Sequence, residues 1–356
     1  MSMNTQDNIP GYDTAAVQAW IKSHVAGLEP PLTWTRLEGG HSNLTYLLED
    51  ARGRRAVIRR PPMGELLPKA HDMAREWALI SALGPTPVPV PAALGFCEDT
   101  AVTGAHFYVM GWVDGHPLYS AQDTDRWVPQ AQRVRYTDSF IDALADLHSL
   151  DPDALGLSDL GKKDSYVGRQ LKTWYRSWMA SIEPARYDDP RAHSLQQYFL
   201  TNLPDQGPAR IVHGDYGPHN CLVGPDGTVA AVVDWEISTL GDPLADLAYA
   251  LNFWPDPMDS VVTKEDAATG VPGFPGRGYM AHALCPAHRT RPVAPRLLRR
   301  LQPLEVSGDR AWGLRPVHGR QEEHRGGGPG ELAHCVSTIR WSWPPKRSSG
   351  SSGGTG

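Results

Sequence analysis

The chain has 356 residues, enough for two packed lobes of ordinary size and too many for one small module. Hydrophobic residues at 40% and charged residues at 21% point to a soluble globular protein, and a net charge of −6 argues against a general nucleic-acid binder, which carries a basic excess. No apolar run approaches the roughly 18 residues of a membrane span, and the polar start MSMNTQDNIPGY has no apolar export segment. Cys97, Cys221, Cys285 and Cys335 show no CxxC spacing, so no disulfide framework or zinc site is signalled and a reducing cytoplasm is the expected location.

Residues 13–26 predict an amphipathic helix capped by Asp13, with Ala16, Trp20 and Ile21 near one stripe. LTWTRL (32–37) alternates as a strand does, and residues 43–49 and 54–60 predict a hairpin about the DARG turn. Residues 66–83 have helical apolar spacing and stop at Gly84-Pro85. Strands are expected within 86–98 and 105–113. From 123 the pattern becomes helical: one long helix over 123–150, with Phe140, Leu144, Leu147 and Leu150 on one face, then helices at 164–182 and 191–203. Strand signals return at RIVHGD and at CLVGPDGTVAAVVDW, a hairpin turning at Pro225-Asp226-Gly227. Asp242 and Pro243 open a last helix over 242–254. The layout is a strand-rich lobe over 1–112 and a helical lobe over 113–280 that carries an inserted hairpin.

The chemistry concentrates in IVHGDYGPHNCLV (211–223) and VAAVVDWE (229–236). Asp215 lies on a loop after a short strand, five residues before Asn220. Asp234 ends the strand that pairs with the one after Asn220, so the hairpin should bring Asn220 and Asp234 side by side. A carboxamide oxygen and a carboxylate are hard ligands that suit Mg²⁺, which takes substrate phosphates and water as its other ligands. Asp215, outside that shell, could orient a hydroxyl and accept its proton, completing the parts of metal-assisted phosphoryl transfer. Taken singly, each aspartate reads as an ordinary turn or strand-end residue; the combined spacing is what points to chemistry.

The pattern H-G-D-x-x-x-x-N, strand, hairpin, D resembles the aminoglycoside phosphotransferase and choline kinase family of the protein-kinase-like fold. Within it, LEGGHSN, VIRRPP and GDPLADLAYAL are most similar to the phosphotransferase-like domains related to the N-terminal part of some acyl-CoA dehydrogenases. The resemblance covers roughly 30–280 and implies an α+β, two-lobed protein-kinase-like fold. It assigns the catalytic base to Asp215 and magnesium to Asn220 and Asp234. The loop over the ATP triphosphate falls on Gly39, Gly40, His41, Ser42 and Asn43. Arg59 stands where kinases carry the phosphate-contacting lysine of V-A-I-K. This departure keeps the charge but changes its geometry. Glu76 is its expected ion-pair partner, with a surface helix charge as the plain alternative. Met110, Gly111, Trp112 and Val113 fall at the hinge that would bind adenine, with backbone contact alone at Gly111. Asp246 is expected to anchor the catalytic loop, His213 to be structural, and His148 to be a merely packed or surface histidine.

The implied reaction moves the γ-phosphate of ATP, with Mg²⁺, to a hydroxyl of a small molecule: an aminoglycoside, choline or homoserine, or in the most similar subgroup a hydroxyacyl thioester. Neither a nucleic acid nor a membrane is an expected partner. Two other readings are a nucleotide-binding pseudokinase, suggested by Arg59, and a dinuclear metal hydrolase using His213, Asp215, His219 and Asp234.

Residues 281–356 break the pattern. They hold 11 Arg, one Lys and one Asp, with no Phe, Tyr, Met or Asn, and no helical period. A reading-frame slip between Pro275 and Cys285 accounts for this, and the segment is then expected not to fold. Reading one base later, with codons chosen within degeneracy, RLLRRLQPLE (296–305) becomes DYYVAFNRWK, and AWGLRPVHG (311–319) becomes HGVYARYM. Both are helix-like peptides of this family. Sequencing the encoding DNA should show those codons; codons giving no such peptide in the offset frame would remove the idea.

Overall fold

The computed structural model describes residues 9–37, 43–64, 72–255 and 267–280. The expected tail over 281–356 lies outside them, as do Gly39, Gly40, His41, Ser42 and the first part of the helix expected from residue 66. Helix α1 (Thr14–His24) begins where the Asp13 side chain accepts the Ala16 N–H. Five strands follow in one antiparallel sheet, with α2 (Met73–Leu83) between the third and fourth: β1 (Leu32–Arg36), β2 (Leu44–Asp50), β3 (Arg55–Arg60), β4 (Ala93–Cys97) and β5 (Phe107–Gly111). Their order is β1-β2-β3-β5-β4. The expected hairpin is β2–β3, and α2 starts at Met73 because Asp72 caps it.

β3 is the central strand, and its two-residue period divides the lobe. Ala56 and Ile58 join Val17 and Ile21 of α1 in a core with Tyr12, Trp34, Leu48, Phe107 and Val109. Arg59 points to the other face, opposite Tyr108 of β5. That face joins a second core, formed by Leu79, Ile80 and Leu83 of α2 and continuing into the helical lobe.

The single helix expected over 123–150 is two helices, α3 (Ala121–Trp127) and α4 (Arg133–Ser149), separated by Pro129 and a short 3-10 turn. Proline lacks the N–H that a continuous helix needs. Helices α5 (Tyr166–Ala185) and α6 (Pro190–Thr201) follow. Strand β6 (Arg210–Val212) then pairs with β9 (Thr239–Gly241), which the sequence pattern does not reveal, and β7 (Cys221–Val223) pairs with β8 (Val229–Val232). Asp242 caps α7 (Pro243–Leu251), with Pro243 at its first position as expected. The lobes meet through the Val232 N–H on the Pro89 carbonyl at 2.8 Å, and the segment just after β5 pairs with β7 through His116 and Val223.

Phe140 of α4 is fully buried, its ring centroid 4.5 Å from that of Tyr216 and 4.8 Å from that of Trp254. Phe140→Ala should cost about 3–5 kcal/mol in urea unfolding, whereas Met179→Ala, on an exposed part of α5, should cost less than about 0.5 kcal/mol. Equal losses would mean that the core does not run beneath the 213–220 loop.

Candidate active site

The loop after β6 is shaped by one buried carboxylate. Asp246, in the first turn of α7, accepts the N–H of His213 at 2.8 Å and the N–H of Gly214 at 2.9 Å. Its Oδ2 also meets Nε2 of His148 at 3.1 Å. Gly214 has φ +85°, and a Cβ there would press on Ile237 at 3.2 Å, so the turn requires glycine. His148 is therefore neither at the surface nor merely packed: it is buried against the anchor of the catalytic loop. The His213 ring is structural as well. Nε2 donates to the Val233 carbonyl at 3.0 Å and Nδ1 accepts the Asp215 N–H at 3.2 Å, which assigns its neutral tautomer.

Asp215 follows, its partly buried carboxylate met by three side chains, two through hydrogen bonds and His219 through a longer contact. The Tyr249 hydroxyl donates to Oδ1 at 2.5 Å, and on Oδ2 sit Asn220 Nδ2 at 3.2 Å and His219 Nε2 at 3.4 Å. Burial pushes the carboxyl up, but His219 and the Tyr249 hydroxyl outweigh it and hold Asp215 well below the usual carboxylate range. It is ionised at neutral pH. Tyr119, His219, Phe253 and Tyr249 form an aromatic wall beside it, with the His219–Phe253 centroids 5.1 Å apart and the Tyr249–Phe253 centroids 5.6 Å apart.

The β7–β8 register brings Asn220 and Asp234 to one end of the hairpin, with the Val233 N–H on the Asn220 carbonyl at 2.9 Å. Because Asn220 Nδ2 is committed to Asp215, its Oδ1 faces away from that carboxylate and accepts no hydrogen bond from the described residues. Asp234 holds a left-handed backbone, φ +68°, a strained state for a non-glycine residue. An open amide oxygen and a carboxylate held in this way fit Mg²⁺.

On the sheet side, Arg59 gathers three carboxyl groups. Its Nε is 3.2 Å from Glu76 Oε2, and its Nη2 is 2.6 Å from Asp234 Oδ1 and 3.4 Å from Glu236 Oε2. Glu76 is not a surface charge: its side chain is 1% exposed, and Tyr108 donates its hydroxyl to Oε2 at 2.8 Å. Burial pushes Glu76 up to about 7 against the pull of Arg59 and Tyr108. Asn43 is buried and donates Nδ2 to Glu236 at 3.1 Å. At the hinge, Met110 and Gly111 end β5. The Gly111 N–H is already given to the Ala92 carbonyl at 2.8 Å, so it is not available to adenine, while Trp112 turns its indole N–H to Asp114. Val113 follows directly.

Sequence reasoning gave no role to Tyr108, Glu236 or Tyr249, and weighed His219 only as a metal ligand. Tyr249 stands three residues after Asp246, on the same helical face, and the D-x-E spacing of Asp234 and Glu236 aims both carboxylates at Arg59. Those two spacings are the signals that could have found them.

The family model described as the phosphotransferase enzyme family matches residues 33–317, a span that runs past residue 280. The chain belongs to this family. It is 34% identical over 273 residues to acyl-CoA dehydrogenase family member 11 of Pongo abelii, covering 74% of this chain and 34% of that protein. With the same-named protein of Gallus gallus it is 38% identical over 232 residues, covering 64% and 29%. The chain thus spans about a third of these relatives' length. Among solved structures, a Ralstonia eutropha protein assigned as an aminoglycoside phosphotransferase superposes with TM-score 0.68 at 28% identity, covering 84% of this chain and 88% of that one. ADP-bound aminoglycoside phosphotransferase APH(2'')-Ib superposes at 0.61 with 15% identity, covering 92% and 96%. The fold is α+β and protein-kinase-like.

The Asp246 anchor should carry both stability and loop geometry. Burial raises its pKa, but the His148 contact and the Gly214 N–H outweigh this and depress it. The stabilisation is therefore present above the ordinary value of about 3.9 and lost as pH falls through the depressed native value. Asp246→Ala, which strands two buried N–H groups, should cost about 2–5 kcal/mol near pH 7, and the gap to wild type should close in strong acid. A gap independent of pH would mean that the charge contributes nothing.

Proposed function

We propose that the chain is a small-molecule kinase that moves the γ-phosphate of ATP, with Mg²⁺, to an alcohol. The observation that carries this reading is the convergence of Asp215, Asn220 and Asp234 on one cleft, with Arg59 facing Asp234 from the sheet. Magnesium, when bound, would neutralise charge developing on the transferred phosphoryl group, and Asn220 Oδ1 and Asp234 would hold it. Asp215 orients the acceptor hydroxyl in line and takes its proton at the carboxylate. Placement and electrostatics supply most of the rate. Arg59 is the phosphate-facing cation, and Asn43 ends the loop that would cover the triphosphate. Met110, Trp112 and Val113, with the Gly111 carbonyl, are the hinge groups for adenine.

Several observations support a turnover enzyme over a pseudokinase. Arg59 makes the ion pair with Glu76 that the kinase lysine would make, and the grouping of Asp215, Asn220 and Asp234 supports the roles proposed for them. The hydrolase reading fails on His213, whose two ring nitrogens are already committed, and no cluster of three or more metal-ligating side chains occurs among the described residues. The relatives are named as acyl-CoA dehydrogenase family members, so a hydroxyacyl thioester is the acceptor class to test first. No described helix is long and apolar enough to cross a membrane, and Cys97 and Cys221 are buried free thiols, which suits the cytoplasmic location proposed here.

Coupled ATP consumption with a panel of hydroxyacyl thioesters and small alcohols tests the reading. Asp215→Asn should lower kcat about 10²- to 10⁴-fold on the responding acceptor while nucleotide affinity holds. Asp234→Ala should abolish magnesium-dependent ATP binding in calorimetry. Wild-type turnover in the first variant, or unchanged affinity in the second, would overturn the corresponding role.

A further inference from the structure

Asp234 has two claims on one carboxylate. It is the carboxylate assigned to magnesium under Proposed function, and its Oδ1 makes the shortest contact of the Arg59 guanidinium, 2.6 Å. A guanidinium cannot be titrated away, and it repels a divalent cation on the same carboxylate even when that cation takes the other oxygen, so metal binding favours moving it. The available movement is narrow. Nε of Arg59 stays on Glu76 at 3.2 Å, inside the lobe, with the Glu76 side chain 1% exposed. That contact is an ion pair without hydrogen-bond alignment, so the planar fork is held beside Glu76 by charge, and its Nη2 can shift toward a neighbouring acceptor. The neighbour is Glu236 Oε2, already 3.4 Å from the same nitrogen and held by Asn43 Nδ2 at 3.1 Å.

Charge favours the same arrangement. One guanidinium faces Glu76, Asp234 and Glu236, so the cleft is short of positive charge even with Arg59 in place. A divalent cation at Asp234 relieves that shortage, provided Arg59 stays nearby to neutralise the remaining carboxylates. A lysine ammonium, a compact charge on a flexible stem, would not be tied to one plane in this way.

We propose that Glu236 is a positioning residue for the nucleotide site: it receives Arg59 Nη2 when Asp234 turns to the metal, and in the empty cleft Arg59 guards Asp234 against free cation. Metal and nucleotide then enter together, because phosphate oxygens and Glu236 jointly draw the guanidinium off Asp234. The proposal rests on Asp234 as a metal ligand, and the experiment separates the two.

Mn²⁺, visible by electron paramagnetic resonance, serves as the metal probe, alone and with ADP. Wild type should bind Mn²⁺ at least about tenfold more tightly with ADP than without it. Glu236→Gln should weaken Mn²⁺ binding in the presence of ADP about tenfold, and Glu236→Asp should recover part of the loss. Arg59→Met should tighten Mn²⁺ binding without ADP. In that background Glu236→Gln should have no further effect, because the two residues act on one another. Arg59→Lys is the second variant, expected to tighten free-metal binding less, and melting curves check that each variant folds. An equal Glu236→Gln loss with and without Arg59 would overturn the proposal, since Glu236 would then act on the metal by charge alone. Equal wild-type affinity for Mn²⁺ with and without ADP would overturn it too. If Asp234→Ala left Mn²⁺ binding intact, the metal assignment itself would fall, a result distinct from the other two.

Discussion

The buried guanidinium of Arg59 is the interaction on which the cleft depends. Burying a charge costs several kcal/mol unless partners replace the lost water, and here they come from two separate places in the chain. Glu76 arrives on α2, Asp234 and Glu236 on the loop after β8. The strand, the helix and the second lobe must all be in place for the charge to be tolerated. One ion-pair cluster thereby registers the sheet against the helical lobe, at the point where a nucleotide would sit. The backbone pairing of His116 with Val223 holds the same junction from the hinge side.

The other half of the site is organised by backbone demand. A loop leaving a three-residue strand has N–H groups with no ladder to join, and buried N–H groups require partners. Asp246 answers for two of them, and His213 closes a third through its ring. The loop is thus rigid where it must be, and Asp215 is delivered to the cleft from a fixed base. Phe140, Tyr216 and Trp254 fill the space beneath, so the 213–220 loop sits on a packed aromatic layer.

Legibility in the sequence followed the range of each interaction. H-G-D-x-x-x-x-N was readable because its spacing is set within one short loop, and Asn220 with Asp234 because a tight hairpin joins them. Asp242 with Pro243 marked α7 by local capping chemistry. The break at Pro129 was also local, yet the strong apolar period after residue 136 concealed it. β9 has only three residues and too little alternation to register as a strand. Glu236 was out of reach for a different reason: its partners Asn43 and Arg59 lie 193 and 177 residues away, and no local pattern encodes that meeting. His148 read as ordinary because helical spacing reports burial and is silent on what a buried ring touches.

The two sides of the cleft therefore solve different problems. On the nucleotide side, carboxylates outnumber the guanidinium, which leaves the cleft short of positive charge. On the proposed acceptor side, Asp215 takes hydrogen bonds from Tyr249 and Asn220 and a contact from His219, which lowers its basicity while fixing its direction. A strong base would be hampered by such donors. In a loose phosphoryl-transfer transition state the attacking hydroxyl has formed little bond to phosphorus, and its proton becomes acidic late. A weak base held in line loses little there, and a well-aimed one gains the orientation that supplies most of the rate. The donors around Asp215 are thus consistent with a carboxylate selected for placement, and the aromatic wall of Tyr119, His219, Phe253 and Tyr249 gives the acceptor a surface that leaves that placement undisturbed.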